Sequence, residues 1–159
     1  MQYLSTFACA IIIMIPFTQF NCFAGTSAFL ARGVSVIHGS EFIAFPQVMF
    51  NDGGDYNKST GVYTCRISGQ YSISAGIGKP TTQTNFIKCF LKLNGVEQLQ
   101  MYSYTYDAND VNDGISSTVS GAFRLKQGDL VQIGRCSHQN LFHNGELTYF
   151  SVVLIHPDI

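Results

Sequence analysis

From Gly25 onward, apolar and polar positions alternate in short runs punctuated by turn residues. Tyr71, Ile73, Ala75 and Ile77 alternate with Gln70, Ser72, Ser74 and Gly76. In an extended chain this puts an apolar row on one sheet face and small polar groups on the other. Val119, Gly121, Phe123 and Leu125 repeat the pattern up to a turn at Lys126-Gln127-Gly128-Asp129, and Val131 and Ile133 resume it. The stretch from Leu147 to Ile155 is almost continuously apolar, which predicts a central strand buried on both faces. Asp52-Gly53-Gly54-Asp55, Asn94-Gly95 and Asn144-Gly145 supply residues that tolerate positive φ. Gly78-Lys79-Pro80 is expected to break the strand before it. No window sustains a helical period and no repeat recurs, so the pattern predicts an all-β sandwich or barrel.

The N-terminal segment differs. The first 24 residues carry no charged side chain, and Phe7 to Phe17 is apolar but short for a bilayer span. Cys22-Phe23-Ala24 places small residues at the positions that favour cleavage before Gly25. We therefore expect a secretory signal peptide over 1–24, one without Lys or Arg in its first part, and a single domain over 25–159. A buried strand or an uncleaved anchor are the alternatives. No other segment suits a membrane span. Charged residues make up 12% of the chain, aromatics 13%, and the net charge is −1. That balance argues against nucleic-acid binding through phosphates. It fits either an uncharged polar surface or a face buried in an oligomer. Cleavage would leave Cys65, Cys89 and Cys136, an odd number in none of the zinc spacings.

Candidate chemistry is sparse. Asp107 to Gly114 is dense in carboxylates and amides, hard oxygen donors suited to calcium, although it lacks the EF-hand pattern; a solvated loop is the alternative. His138 and His143 lie in a polar run from Ser137 to Gly145 with Asn140 and Phe142, and as a histidine pair they make a weak metal pattern. Asp52 and Asp55 read as turn residues. Asn57-Lys58-Ser59 is the chain's one glycosylation sequon. There is no Gly-x-Ser-x-Gly elbow, His-Glu-x-x-His or phosphate loop. Cys65, between Thr64 and Arg66 in an apolar strand, suits an inert buried thiol. No enzyme is expected.

Phe45, Asn51, Tyr56, Tyr63, Gly69 and Tyr71 stand at offsets that resemble the signature of the globular head of complement C1q, a family sharing its fold with tumour necrosis factor. Further pieces follow in the family's order: Ala28-Phe29-Leu30-Ala31-Arg32, Thr60-Gly61-Val62-Tyr63-Thr64-Cys65, Ser120-Gly121-Ala122, Gly128-Asp129-Leu130-Val131 and Phe150-Ser151. Together they cover residues 26–159. Tyr63 and Ile73 replace phenylalanines, Ala75 an aromatic, and Val152-Val153 stands where Gly-Phe is usual.

The resemblance implies a ten-stranded jelly-roll sandwich assembled as a homotrimer, here without a collagen stalk. It implies apical calcium, with Asp107 after Tyr106 as one ligand. Asp113 is the nearest carboxylate for the second, further from Ser120 than usual, with Ser117 closer to the expected place. It puts His138, Asn140 and His143 in an apical, variable loop suited to ligand contact. By the family's strand order, the strand of Cys136 lies between those of Cys65 and Cys89, and the Thr-Cys position is often a free thiol; Cys89–Cys136 is the pairing implied. The function implied is a secreted innate-immune recognition module binding microbial or cell-surface glycans or proteins by trimeric avidity. The alternative is a signalling ligand of the adiponectin or cerebellin type; a matrix component is a third.

Overall fold

The computed structural model describes residues 26–36, 42–80, 86–104, 114–137 and 147–158. Among these the regular elements are strands β1 (Ala28–Arg32), β2 (Ser35–Val36), β3 (Ile43–Ala44), β4 (Gln47–Asp52), β5 (Tyr56–Asn57), β6 (Val62–Thr64), β7 (Gly69–Pro80), β8 (Phe86–Leu93), β9 (Val96–Tyr104), β10 (Gly114–Leu125), β11 (Leu130–Gly134) and β12 (Tyr149–Pro157). Ten of them form two five-stranded sheets, ordered β10-β7-β12-β1-β4 and β5-β6-β11-β8-β9, while β2 and β3 pair as a small ribbon. Every pairing in the two sheets is antiparallel. This is the jelly roll expected, with β11 between β6 and β8.

The alternating rows fill the space between the sheets. Tyr71, Ile73, Ala75 and Ile77 of β7 are all at most 1% exposed. Phe29 sits at the centre. Its ring stacks on Tyr56 at 4.4 Å and on Tyr63 at 5.3 Å, and meets Phe150 edge-on at 4.9 Å. Burying each such side chain stabilises the fold by about 1.5–3 kcal/mol, and offset or edge-on aromatic pairs add to that.

The spaced signature residues have distinct jobs in this core. The Tyr56 phenol accepts the Phe45 backbone N–H at 2.8 Å and donates to the Phe45 carbonyl at 3.3 Å, so a side chain completes backbone bonding where the chain leaves β3. The Asn51 side chain accepts from the Tyr56 N–H at 3.0 Å and donates to the Tyr56 carbonyl at 2.9 Å, which closes the turn through Gly53 and Gly54. Tyr71 donates to the Ile67 carbonyl at 2.5 Å. Gly69 starts β7 beside the bulge between Leu154 and His156. A Cβ there would strike the His156 carbonyl oxygen and come within 2.9 Å of Leu154 and Pro157.

Two expectations are corrected. β7 does not stop at Gly78-Lys79-Pro80 but runs through it, paired with Gly114, Ile115 and Ser116 of β10. The proline is the strand's last residue, where a missing donor costs little. And β12 is central in its sheet but not buried on both faces. Phe150 and Val152 point into the core at 0% exposure, whereas Val153 and Ile155 are 38% and 57% exposed. No part of the described chain packs over the outer face of that sheet.

Candidate functional surfaces

Register brings one set of strand ends together. Pro80 pairs with Gly114, and Tyr149 lies only a few rungs below at Gly76. In the other sheet Phe86 pairs with Tyr104, and Gly134 pairs with Phe90. The ends flanking 105–113 and 138–146 thus lie at one end of the sandwich, opposite the tight Leu125-to-Leu130 turn. Asp107 and Asp113, proposed for calcium, and His138, Asn140 and His143, proposed for ligand contact, lie outside the described residues. So does the segment 1–24.

The two anchors of the 138–146 segment are well defined. Cys136, just past β11, is disulfide-bonded to Cys89 of β8. The next residue, Ser137, donates its N–H to the Lys88 carbonyl at 2.8 Å, and its Oγ accepts the Lys88 N–H at 3.1 Å. On the far side Thr148 is 0% exposed. Its carbonyl accepts the Gly33 N–H at 3.0 Å and its Oγ1 the Gly78 N–H at 3.2 Å. The described residues on either side of 138–146 are thus fixed, one by a disulfide and the other by burial and hydrogen bonds.

Asn57 is exposed at the end of β5, and its side-chain oxygen accepts the Ser59 N–H at 2.9 Å. Cys65 is the free cysteine among the described residues and is 1% exposed. Burial pushes its thiol pKa up, and Sγ donates to the Ile67 carbonyl at 3.1 Å. A protonated, enclosed thiol is a packing group and a poor nucleophile. Among the described residues no three His, Cys, Asp or Glu side chains gather to hold a metal ion.

Sequence patterning underrated Asp55. It is not a plain turn residue: its side chain is 5% exposed, and Arg66 Nε donates to Oδ1 at 3.0 Å. Ser27 Oγ donates to Oδ2 at 2.6 Å, which leaves Tyr63 OH to donate to Ser27 across 2.5 Å. Arg66 Nη2 also donates to the Thr26 carbonyl at 3.0 Å. The cluster fastens the start of the domain to β6 and the β4–β5 turn. Asp-Gly-Gly-Asp alone signals only the turn.

The outer face of the β10-β7-β12-β1-β4 sheet is the larger surprise. Opposite the buried rows it presents Leu30, Phe50 and Val153 among Ser72, Ser74 and Ser151, with Phe50 41% exposed. Charge on this face is confined to its rim, at Arg32, Asp52 and Arg124. A charge-depleted, partly apolar sheet face has the composition of an interface core.

Comparison with known proteins gives one answer. The sequence profile of the C1q domain matches residues 27–155. Human complement C1q tumor necrosis factor-related protein 2 is 32% identical over 120 residues, which are 73% of this chain and 39% of the relative. The match thus spans well under half of that relative's length. The globular domain of zebrafish complement 1qA superposes with a TM-score of 0.64 at 17% identity, covering 84% of this chain and 99% of that one. Eiger, a tumour necrosis factor from S. frugiperda, gives 0.64 at 14% identity, covering 85% and 96%. The structural likenesses speak to the fold.

Proposed function

The chain belongs to the C1q domain family, and from that membership we propose that it is a secreted, homotrimeric, non-enzymatic recognition module of innate immunity. It binds microbial or cell-surface ligands through the end of the sandwich that carries 105–113 and 138–146. The observation that carries this is the charge-depleted outer face around Leu30, Phe50 and Val153, which no described residue covers. Self-association over that face hides the apolar side chains and aligns several equivalent ligand ends on one rigid body, so weak single-site contacts add as avidity. The disulfide and the buried Thr148 support the contact segment with His138, Asn140 and His143 by fixing its two feet. Calcium held by Asp107 and Asp113 belongs to the same proposal and rests on the oxygen-donor chemistry of that stretch. Glycosylation at Asn57 is supported by its exposed turn.

A second proposal, a receptor-binding signal of the adiponectin or cerebellin type, is favoured by the relative's name, which ties it to tumour necrosis factor. Light scattering of the mature protein with calcium and with a chelator, followed by a glycan array and a host-cell binding assay, separates the two. Trimers that bind glycans support recognition. One saturable protein receptor with no glycan binding supports signalling. A monomer under both conditions overturns the avidity mechanism.

A further inference from the structure

The second sheet carries a different kind of surface. In β8, Ile87, Cys89 and Leu91 point into the core at 0–1% exposure. The outward row of the same strand is therefore Phe86, Lys88, Phe90 and Lys92, aromatic and cationic by turns. The neighbouring strand β9 is the edge of the sheet, and it sets Tyr104 opposite Phe86 and Tyr102 opposite Lys88. Met101 of β9 is 0% exposed, so the alternation turns Tyr102 and Tyr104 outward together.

These two tyrosines differ from those of the core. Tyr56, Tyr63 and Tyr71 are buried, with their phenols held in hydrogen bonds. Tyr102 is 53% and Tyr104 47% exposed. The Tyr102 ring is steadied by Phe86, with centroids 6.4 Å apart and planes 29° apart. Tyr104 is the last residue of β9. Their sequence surroundings are also distinctive. Residues 93–123 contain no Lys, Arg or His, while Asp107 follows Tyr104 by three positions, with Asp110 and Asp113 beyond it. Across the strand pair, the Lys88 ammonium rests on the Phe90 ring, 5.1 Å from its centroid, and no described carboxylate pairs with it.

We propose that the end of β9 is a modification site: Tyr104 first, and Tyr102 after it, are sulfated on their phenol oxygens during secretion. The donor is phosphoadenosine phosphosulfate, and the enzyme a tyrosylprotein sulfotransferase. The phenol oxygen forms a bond to sulfur as the bond from sulfur to the donor's phosphate oxygen breaks. The nucleotide leaves with that oxygen, and the phenolic proton passes to a base of the transferase. Electrostatics selects this stretch. A site that binds so anionic a donor is cationic, so it attracts an acceptor followed by carboxylates and repels one flanked by Lys or Arg. Tyr104 stands nearer the carboxylates than Tyr102, which makes it the principal acceptor. Geometry allows access. An edge strand is already extended and has one side outside the sheet, so a second protein can pair alongside it and reach every other side chain. The product is also accommodated, because the residue directly across from Tyr102 is the cation Lys88. The inference rests on the secreted role proposed above, since the donor and transferase belong to the secretory route.

The test is expression of the full chain, with its own first 24 residues, in cultured animal cells fed radioactive sulfate. Protein recovered from the medium is stripped of N-glycans, so that sulfate on a glycan at Asn57 is not counted. The parent should carry label, and mass spectrometry should place it on Tyr104, with a smaller share on Tyr102. Tyr104→Phe should lose most of the label, and the double variant with Tyr102→Phe should lose all of it. Phenylalanine keeps the ring and its packing, and both positions face outward, so melting temperature should not change. Secreted protein without sulfate on either tyrosine overturns the inference and leaves the secreted role standing. So does label that survives the double variant, or a mass gain that takes label from phosphate and not from sulfate. A larger loss in Tyr102→Phe than in Tyr104→Phe overturns the choice of Tyr104 as principal acceptor. If no protein reaches the medium, the secreted role and this inference fall together.

Discussion

Ser27 and Asp55, 28 residues apart, meet across 2.6 Å inside the sandwich, the hydroxyl donating to Oδ2. The serine is 1% exposed and the aspartate 9%, so neither can turn to water. Arg66 completes the carboxylate, but its side chain is 42% exposed and its contribution is screened. Burial therefore makes the weaker-looking hydroxyl the more important partner. Ser27→Ala should destabilise the domain by about 1–3 kcal/mol, because a buried carboxylate loses a donor. Arg66→Gln should cost less, under about 1 kcal/mol. Urea melts of the two variants check the order; a larger loss in Arg66→Gln would refute it.

The Tyr56 phenol predicts an alkaline limit. Burial raises its pKa from 10.0 to about 12, with the Phe45 hydrogen bond working in the opposite direction. A folded-state pKa above the unfolded value stabilises fully below pH 10, and the gain is lost as pH climbs toward 12. Tyr63 and Tyr71 are also shifted upward by burial. Phenolate absorbance should rise together with loss of the β-sheet circular dichroism. Tyr56→Phe should be less stable at neutral pH by about 1–2 kcal/mol, since the Phe45 N–H loses its acceptor. Its gap from the parent should narrow above pH 10.

Removing the disulfide should have separable effects. Cys136→Ser opens a loop of 47 residues in sequence separation. It should cost about 2–4 kcal/mol. The Ser137–Lys88 hydrogen bonds remain, so the foot of the 138–146 segment should loosen without losing its place. Hydrogen exchange should then rise around Ser137 while the Thr148 side stays protected.

Val153 tests self-association. It points away from the core at 38% exposure, beside Ala28 and Ser72. Val153→Asp should leave the melting of the isolated domain nearly unchanged but bury a charge in any assembly over this face, at a cost of several kcal/mol. If the proposed trimer forms over this face, light scattering should show the variant as a monomer at concentrations where the parent associates. An unchanged trimer would place the contact elsewhere.

Much of the fold was legible because β-sheets encode their faces with a period of two. The rows at Tyr71–Ile77 and Val119–Leu125 and the turn at Lys126–Asp129 appear where alternation put them. Alternation says less where both faces of a strand are apolar. Leu147–Ile155 reads as doubly buried, yet one side is open among the described residues, because a run of apolar residues does not say which face packs against the core. Asp55 was misjudged for a related reason. Its partners are Ser27 and Arg66, and a contact across 28 positions leaves no local spacing to detect.

The sequence by itself determined the all-β class, the core rows, the turns at Gly53-Gly54, Asn94-Gly95 and Gln127-Gly128 and the C1q signature, since local propensity, alternation and residue spacing are properties of neighbours along the chain. Only the tertiary structure decided why Asn51, Tyr56 and Gly69 must stand where they do, which cysteines are joined, and that Asp55 is a buried anchor. It alone separated the charge-depleted face of one sheet from the aromatic and cationic face of the other. Those are relations between strands distant in sequence, and they exist only once antiparallel register has set the strands side by side.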